Sequence, residues 1–184
     1  MKKGLSDYIS HILAIAIAFI ILGLVSSSMY DYYIEMTVES QRSEVEAMNE
    51  DIRNSIMNLY SEYRYKDIIP PENESEVLGE VEISLTPEIA GGRYRVELHS
   101  AEDEWIDFTV KSIFETTTTE VTRPTARITT HVLDFPQRNY TSYLYNIEIN
   151  LEGNVTSPDD LRLEYVRKNE GEVKDYIRAT EISN

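Results

Sequence analysis

The 184-residue sequence contains no cysteine. Disulfide bridges, thiolate metal sites and cysteine nucleophiles are therefore excluded for this protein. The chain also lacks the G-x-S-x-G, P-loop and H-E-x-x-H motifs, and its three histidines show no spacing that indicates a metal pair. These absences predict a protein that is not an enzyme and that holds no metal ion or cofactor.

Basic residues are scarce. The chain has 17 Lys and Arg against 33 Asp and Glu, which gives a formal net charge of −16. Nucleic acids and anionic lipid headgroups are bound by basic surfaces, so this charge predicts no nucleic-acid partner and no adhesion to anionic lipid. An acidic surface of this kind keeps a protein soluble and suits saline surroundings.

Charged residues are missing from one long stretch near the start. Ile12–Val25 is almost entirely Ile, Leu, Ala, Val and Phe, and Tyr8–His11 leads into it. Together they reach the roughly 17–25 residues that a helix needs to cross a bilayer. Lys2 and Lys3 precede the run and no basic residue follows it until Arg42, so the positive-inside rule predicts a cytoplasmic N-terminus and an extracytoplasmic remainder.

Three interpretations of this stretch remain open. Gly23 and the serines that follow could provide the cleavage site of a secretory signal. An uncleaved signal anchor requires no processing at all. In the third interpretation the chain is cut between Gly4 and Leu5, which removes a short basic leader and leaves the apolar helix on the mature protein.

The third arrangement resembles the prepilin-type leader of archaeal type IV pilin-like proteins. The residues that match are Lys2, Lys3 and Gly4, the apolar Leu5 after the cut, and the long apolar helix beyond it; Val38–Arg42 also resembles the polar continuation of the helix in small members of the family. The resemblance covers about the first third of the chain. It implies processing at Lys3, Gly4 and Leu5 by a prepilin peptidase, and assembly with other pilin-like subunits through the apolar helix.

The assembly helix departs from the bacterial pilin pattern at one position. Bacterial pilins favour glutamate at the fifth mature position, which is Ile9 here, and the nearest acid is Asp7. Asp7 could compensate the new amino group of Leu5, or it could simply cap the start of the helix. The residues that the resemblance assigns to assembly are Asp7, Ile12, Ile15, Phe19 and Leu22.

The helix is predicted to continue beyond the membrane, because no glycine or proline occurs from Met29 to Tyr65. Apolar residues recur at helical spacing and share one face. They are Val45, Met48, Ile52, Ile56, Leu59 and Tyr63. We expect this face to pack on the C-terminal domain of the same chain. The alternative is an intermolecular coiled coil, for which sustained heptads are missing.

After Pro70-Pro71 the apolar period changes to two, which predicts strands. We expect about seven strands in an antiparallel β-sandwich, and an α+β fold overall. The first two strands, over Val81–Leu85 and Tyr94–Leu98, are predicted to form a hairpin. Further strands are predicted over Trp105–Phe114, Arg127–Leu133, Tyr140–Leu151, Leu161–Tyr165 and Glu172–Thr180. The predicted domains are a leader (1–4), a transmembrane helix (5–28), its amphipathic continuation (29–66), a linker (67–78) and an extracytoplasmic β domain (79–184).

Few polar residues stand out as candidate sites. Asn73, Asn139 and Asn154 begin N-glycosylation sequons. Two acidic clusters could bind a hard cation but lack ordered ligand spacing, so solvated turns are the favoured interpretation. They are Glu102-Asp103-Glu104 and Asp159-Asp160. His11 lies near one end of the apolar run, where its ring can reach the membrane interface, and His99 and His131 stand alone in predicted strands.

The sequence therefore predicts a membrane-anchored glycoprotein of the cell surface. We expect a structural, minor subunit of an archaeal type IV pilus-like filament. The alternative is an uncleaved, signal-anchored extracytoplasmic binding module, for example an accessory protein of the archaellum or of the surface layer. The chain has thirteen tyrosines, and strand packing explains those that lie in predicted strands. Tyrosines that are exposed could still form a recognition surface.

Overall fold

The computed structural model describes residues 2–100, 124–145, 147–157 and 159–182, with the side chains of 2–7 and 124 left undescribed. The chain divides into two compact units, Met1–Ser40 and Gln41–Asn184. The elements are α1 (Lys2–Tyr63), β1 (Ser75–Ile83), β2 (Tyr94–Ser100), β3 (Pro124–Val132), β4 (Arg138–Tyr145), β5 (Asn150–Thr156), β6 (Asp160–Asn169) and β7 (Val173–Ile182).

The first unit is the N-terminal part of α1. Its apolar run lacks the glycines and prolines that would interrupt a helix, except Gly23. An 18-residue window of this helix has a mean hydropathy of 2.5, and none of that window is buried. The helix is therefore long and apolar enough to cross a membrane.

The second part of α1 belongs to the second unit and contributes to its core. Val45, Ile52 and Ile56 are each 0% exposed, and Met48 and Leu59 are buried beside them. These residues share one hydrophobic cluster with the inward-facing residues of the strands, and Tyr63 packs against that cluster. This burial confirms the prediction that the apolar face packs on the same chain. The residues share one face because their spacing of three and four positions matches the helical turn.

The seven strands form one sheet in the order β1-β6-β7-β5-β2-β3-β4. All neighbouring pairs are antiparallel except β5 and β7, which run parallel. The α+β class, with a long N-terminal helix and a β-sandwich-like domain, is confirmed. The last strand along the chain, β7, lies inside the sheet between β6 and β5.

Strand β5 changes partner halfway along its length. Asn150–Gly153 pairs with β7, whereas Asn154–Thr156 pairs with β2. Gly153 lies at the change and has φ +106°, and a Cβ atom there would lie 2.3 Å from the carbonyl oxygen of Ala179. Only glycine fits this combination of positive φ and close backbone approach. Gly153 therefore allows one strand to join the two halves of the sheet.

The predicted hairpin between the first two strands is wrong. β1 pairs with β6, and β2 pairs with β3 and β5. The stretch between β1 and β2 is instead held from other elements: Asp160 accepts hydrogen bonds from the Ser84 hydroxyl and the Leu85 amide, and Glu44 accepts one from the Ala90 amide. The alternation of each strand was correct, but alternation carries no information about its partner.

The single strand predicted over Tyr140–Leu151 is also wrong, because β4 ends at Tyr145 and β5 begins at Asn150. Leu144 is buried and Tyr145 is exposed, whereas Ile147 is buried again. Leu144 and Ile147 are three positions apart, so a continuous strand would place them on opposite faces. A break in the strand is needed to bring both into the core.

The linker is shorter than the predicted span 67–78, since β1 begins at Ser75. Ser75 and Glu76 are exposed and polar, but they pair in register with Lys168 and Arg167 of β6. The pairing of β1 with β6 therefore includes residues of the predicted linker, whose polar composition is typical of a loop. The predicted strand over Trp105–Phe114 and the acidic cluster Glu102–Glu104 lie outside the described residues.

Candidate functional site

The apolar surface of α1 is the most extensive exposed hydrophobic feature in the described structure. Four residues assigned to assembly are exposed on it: Ile12 (51%), Ile15 (57%), Phe19 (70%) and Leu22 (60%). Leu13 and Ile20, on other faces of the same turns, are 59% and 63% exposed. Because apolar side chains are exposed on all sides, this segment suits a lipid or helix-packed environment rather than water.

The residues of the predicted leader lie in α1. Lys3, Gly4 and Leu5 have helical backbone, and so does Asp7. Their side chains lie outside the described part of the chain, so both roles considered for Asp7 stay predictions. His11, four residues further along, is exposed.

All three sequon asparagines are exposed. Asn73 precedes β1 and has φ +65°, Asn139 lies in β4, and Asn154 lies in β5 just after Gly153. The side-chain oxygen of Asn139 lies 2.9 Å from His131 Nδ1. Each asparagine is accessible to a modifying enzyme, and glycosylation itself stays a prediction.

Two histidines that are distant in sequence meet at one carboxylate. Glu97 Oε2 lies 3.0 Å from His99 Nε2 and 3.3 Å from His131 Nε2, and Arg95 Nε lies 2.9 Å from Glu97 Oε1. Burial acts to raise the pKa of Glu97, but the hydrogen bond from His99 and the charges of His131 and Arg95 outweigh it and lower that pKa. The cluster is therefore an ion-pair network on the outer face of the sheet.

Only part of this network can be read from the sequence. Glu97 and His99 are two residues apart in β2 and so share a face, which the alternation signals. His131 reaches them only because β3 pairs with β2 in the register that sets Arg95 opposite His131. Both imidazoles approach the same carboxylate oxygen of Glu97, and they do not converge on a position where a metal ion could bind. Within the described residues, no group of three His, Asp or Glu side chains is arranged to hold a metal ion.

Of the predicted acidic pair Asp159-Asp160, Asp160 has a structural role. Its Oδ1 accepts from the Leu85 amide at 3.1 Å and from the Ser84 hydroxyl at 3.2 Å. It thereby fixes the end of β1 against the start of β6. This arrangement fits the interpretation of the pair as part of a turn better than a cation site.

A groove of about 1200 Å³ lies beside the Glu97 network, on the face of the sheet away from the core. Its lining comes from β2, β3, β4, β5 and β7, and from Glu148 between β4 and β5. We define this sheet groove by Glu97, Tyr143, Asn150, Glu152, Asn154 and Tyr176. Gly153 also lines the groove, so the groove runs beside β5 where that strand changes its pairing partner. No sequence signal indicated this groove, because its residues come from five separate strands.

The carboxylates of the sheet groove already have cationic partners. Arg178 Nε lies 2.9 Å and Lys168 Nζ 3.5 Å from Glu152 Oε1. Burial acts to raise the pKa of Glu152, but the hydrogen bond from Arg178 and the charge of Lys168 outweigh it and lower that pKa. Glu148, which also lines the groove, lies 3.2 Å from Arg64 Nη2.

Asp175, at the same groove, forms a well-buried ion pair with Arg167. Arg167 Nε and Nη2 donate to its two oxygens at 2.7 and 2.9 Å, and the Tyr165 hydroxyl donates at 2.6 Å. Arg167 also donates to the carbonyls of Lys66, Ile68 and Arg64, which follow the end of α1. This guanidinium therefore ties the chain after the helix to β6 and β7.

Comparisons with protein-family models, with curated proteins and with solved structures found no match.

Proposed function

We propose that this protein is a minor structural subunit of an archaeal type IV pilus-like filament on the cell surface. The proposal is supported above all by the exposed apolar surface of α1. Ile15 and Phe19 are more than half exposed there, while Ile52 and Ile56 of the same helix are fully buried in the second unit. One helix thus carries a segment whose apolar side chains are exposed in the described structure and a segment that is buried in a folded domain.

Two environments satisfy such a segment. Removing a large apolar side chain from water is worth about 1.5–3 kcal/mol, so several exposed side chains like Leu22 and Leu24 make exposure to water strongly unfavourable. A bilayer covers them before assembly, and a bundle of the same helices covers them in a filament. The subunit is therefore stored in the membrane and moves into a filament without exposing its apolar surface.

The charge distribution supports one orientation. Lys2 and Lys3 lie before the apolar run, and the acidic second unit follows it. In our proposal the N-terminus is cytoplasmic and the second unit is extracytoplasmic. The sequons at Asn73, Asn139 and Asn154 then lie on the side where glycosylation acts on exported chains.

The leader supplies the processing step of the proposal. A prepilin peptidase cuts between Gly4 and Leu5, removes Lys2 and Lys3, and leaves an apolar helix that begins at Leu5. Removing the two positive charges lowers the cost of withdrawing the helix from the membrane. Asp7 then lies close to the new positive amino group of Leu5.

The net charge favours a minor over a major subunit. The chain carries −16 overall, and identical acidic units packed in a continuous array repel one another. Interspersed among less acidic subunits, the same unit meets little repulsion. Recovery of long filaments made of this protein alone would contradict this part of the proposal.

The experiment that tests the proposal is intact mass and N-terminal sequencing of the protein from its native membrane. A mature start at Leu5 is expected, and Gly4→Val should abolish it. Gly23→Ala is the matched control: no neighbouring atom lies within 4 Å of a Cβ there, and processing should be unchanged. A start at Met1 in the wild type would contradict the pilin-like proposal, and a start beyond Ser26 would mean a secreted soluble domain.

One observation favours the second candidate function, an uncleaved anchored binding module. The sheet groove offers a large polar concavity on the second unit, as a binding module requires. An accessory protein of the archaellum or of the surface layer would need such a site and would keep Met1–Gly4. N-terminal sequencing therefore separates the two candidates.

A further inference from the structure

We propose that the sheet groove binds a neutral, hydroxyl-rich ligand, a short oligosaccharide. The proposal concerns the second unit alone and holds for either candidate function. It is based on the size of the groove, on the charges that surround it and on the side chains that remain available inside it.

The size of the groove favours several sugar units over one small molecule. Its volume of about 1200 Å³ exceeds the roughly 300–1,000 Å³ of a typical small-molecule pocket. It is open along β5, where Asn150 and Asn154 lie on the same outward face. An open groove of this volume accommodates several linked sugar units.

The charges of the lining favour a ligand without net charge. The groove is lined by four carboxylates, Glu97, Glu148, Glu152 and Asp175, and by the basic side chains of Arg127 and Lys174, so the lining carries charges of both signs. All four carboxylates already lie within 3.2 Å of an arginine nitrogen, which leaves little attraction for a free cation. Because the carboxylates still outnumber the basic groups of the lining, an anionic ligand gains no overall attraction either.

The remaining side chains suit sugar hydroxyls. Carboxylates held by arginines keep oxygen lone pairs that accept from hydroxyl groups, and the amides of Asn150 and Asn154 both donate and accept. Asn150 Nδ2 already donates to the Asp175 carbonyl at 3.4 Å. Within the part of the chain that the structure describes, the side chains of Asn154 and Tyr143 make no hydrogen bond, so their polar groups remain available.

Two tyrosines supply the apolar component. Tyr143 and Tyr176 line the groove from β4 and β7 and are half-buried. Sugar rings present C–H groups on their faces, which pack on aromatic rings, while the phenol hydroxyl meets the polar edge of the ring. Lys168 Nζ lies 4.1 Å from the centroid of the Tyr176 ring and helps to hold that ring in place.

The test uses the full-length protein, made in a host without N-glycosylation and held in a zwitterionic detergent that has no sugar headgroup. Saturation-transfer NMR is recorded with maltotriose, mannotriose and chitotriose as neutral probes and with trigalacturonate as the charged probe of matched length. We expect transfer to at least one neutral trisaccharide and weaker or no transfer to trigalacturonate. No transfer to any neutral probe, or preference for trigalacturonate, overturns the proposal.

Variants locate the binding. Tyr143→Ala and Tyr176→Ala should each weaken binding at least about tenfold, equivalent to about 1.4 kcal/mol. If circular dichroism shows that either tyrosine variant has a lowered melting temperature, Asn150→Ala is used in its place and should also weaken binding. Tyr145→Ala is the matched control, since Tyr145 follows Tyr143 by two residues in β4, is 47% exposed and lies outside the groove. An equal loss in Tyr145→Ala would overturn the assignment.

The saccharide could be free or could be the protein's own glycan on Asn154, which lies in the groove. Thr156→Ala removes the sequon and keeps Asn154. For this comparison both proteins are purified from the native host, whose glycosylation the first test avoided. If the wild type carries a glycan at Asn154 and only Thr156→Ala binds free trisaccharide, the groove is occupied by the protein's own glycan. If the two proteins bind equally, the ligand is a free saccharide.

Discussion

The hydroxyl of Thr130 donates a hydrogen bond of 2.9 Å to the side-chain oxygen of Asn49, and both residues are buried. Thr130 lies in β3 and Asn49 in α1, so the bond joins elements 81 residues apart in sequence. The surroundings are apolar, including Val45 and Ile128. An apolar face alone tolerates sliding of the helix, whereas a polar pair permits only the register in which both groups are satisfied.

Replacing Asn49 by Leu should destabilise the second unit by about 1–3 kcal/mol, because the Thr130 hydroxyl is left buried without a partner. Equilibrium unfolding in denaturant measures the loss. The double variant Asn49→Leu with Thr130→Val should regain part of it, since neither polar group then remains. Losses that simply add in the double variant would show that the two residues are not coupled.

Asp175→Asn should destabilise the second unit by about 3–5 kcal/mol, as expected when a buried ion pair loses one charge. The Arg167 side chain is 7% exposed and that of Asp175 is 20% exposed, so solvent screens the pair little. Glu170→Gln, in the exposed turn between β6 and β7, is the matched control and should change stability by less than about 0.5 kcal/mol. Equal unfolding free energies for the two variants would refute the importance of this pair.

The Asp175 carboxylate also makes the stability of the second unit depend on pH. Burial acts to raise the pKa of Asp175, but the hydrogen bonds from Arg167 and Tyr165 and the charge of Arg167 outweigh it, and the pKa is lowered in the folded protein. A lowered pKa stabilises the fold above the unfolded pKa, and this contribution is lost as pH falls through the folded value. Stability should therefore fall below about pH 4. Asp175→Asn should flatten this part of the stability-against-pH curve; an unchanged slope would contradict the assignment.

Gly153→Ala should cost more than about 2 kcal/mol, because the new Cβ would clash with the Ala179 carbonyl in addition to the strain of positive φ. Gly171→Ala separates the two effects. Gly171 has φ +87° but open space around it, so this variant should lose only about 1 kcal/mol. Thermal melting of both variants measures the difference, and similar melting temperatures would show that the close approach at β5 is unimportant.

Membrane retention should depend on the apolar run itself. Ile15→Asp with Phe19→Asp places two carboxylates inside it, at about 2.5–3.5 kcal/mol each, which offsets the insertion energy of roughly ten apolar residues. We expect the double variant to leave the membrane fraction on carbonate extraction. Tyr32→Asp with Met36→Asp has the same spacing, lies beyond the apolar run and should stay in the membrane. Retention of both variants would contradict a spanning role for the run.

Much of the fold followed from local patterns. The uncharged run from Ile12 to Val25 indicated the exposed apolar helix, and the three-and-four spacing from Val45 to Leu59 indicated the face that the core buries. The alternation of Leu161, Leu163 and Tyr165 placed β6 correctly, and all three side chains are 0% exposed. Such patterns can be read from sequence because each depends only on the repeat of one element.

Pairing between elements was decided by the tertiary structure. The sequence by itself determined the helix, the approximate positions of most described strands and which of their faces are apolar. Only the folded chain decided that β1 pairs with β6, that β5 changes partner at Gly153, and that His99 and His131 meet at Glu97. The physical reason is that period and propensity are properties of neighbouring residues, whereas register depends on which distant strand completes the hydrogen bonds and the common core.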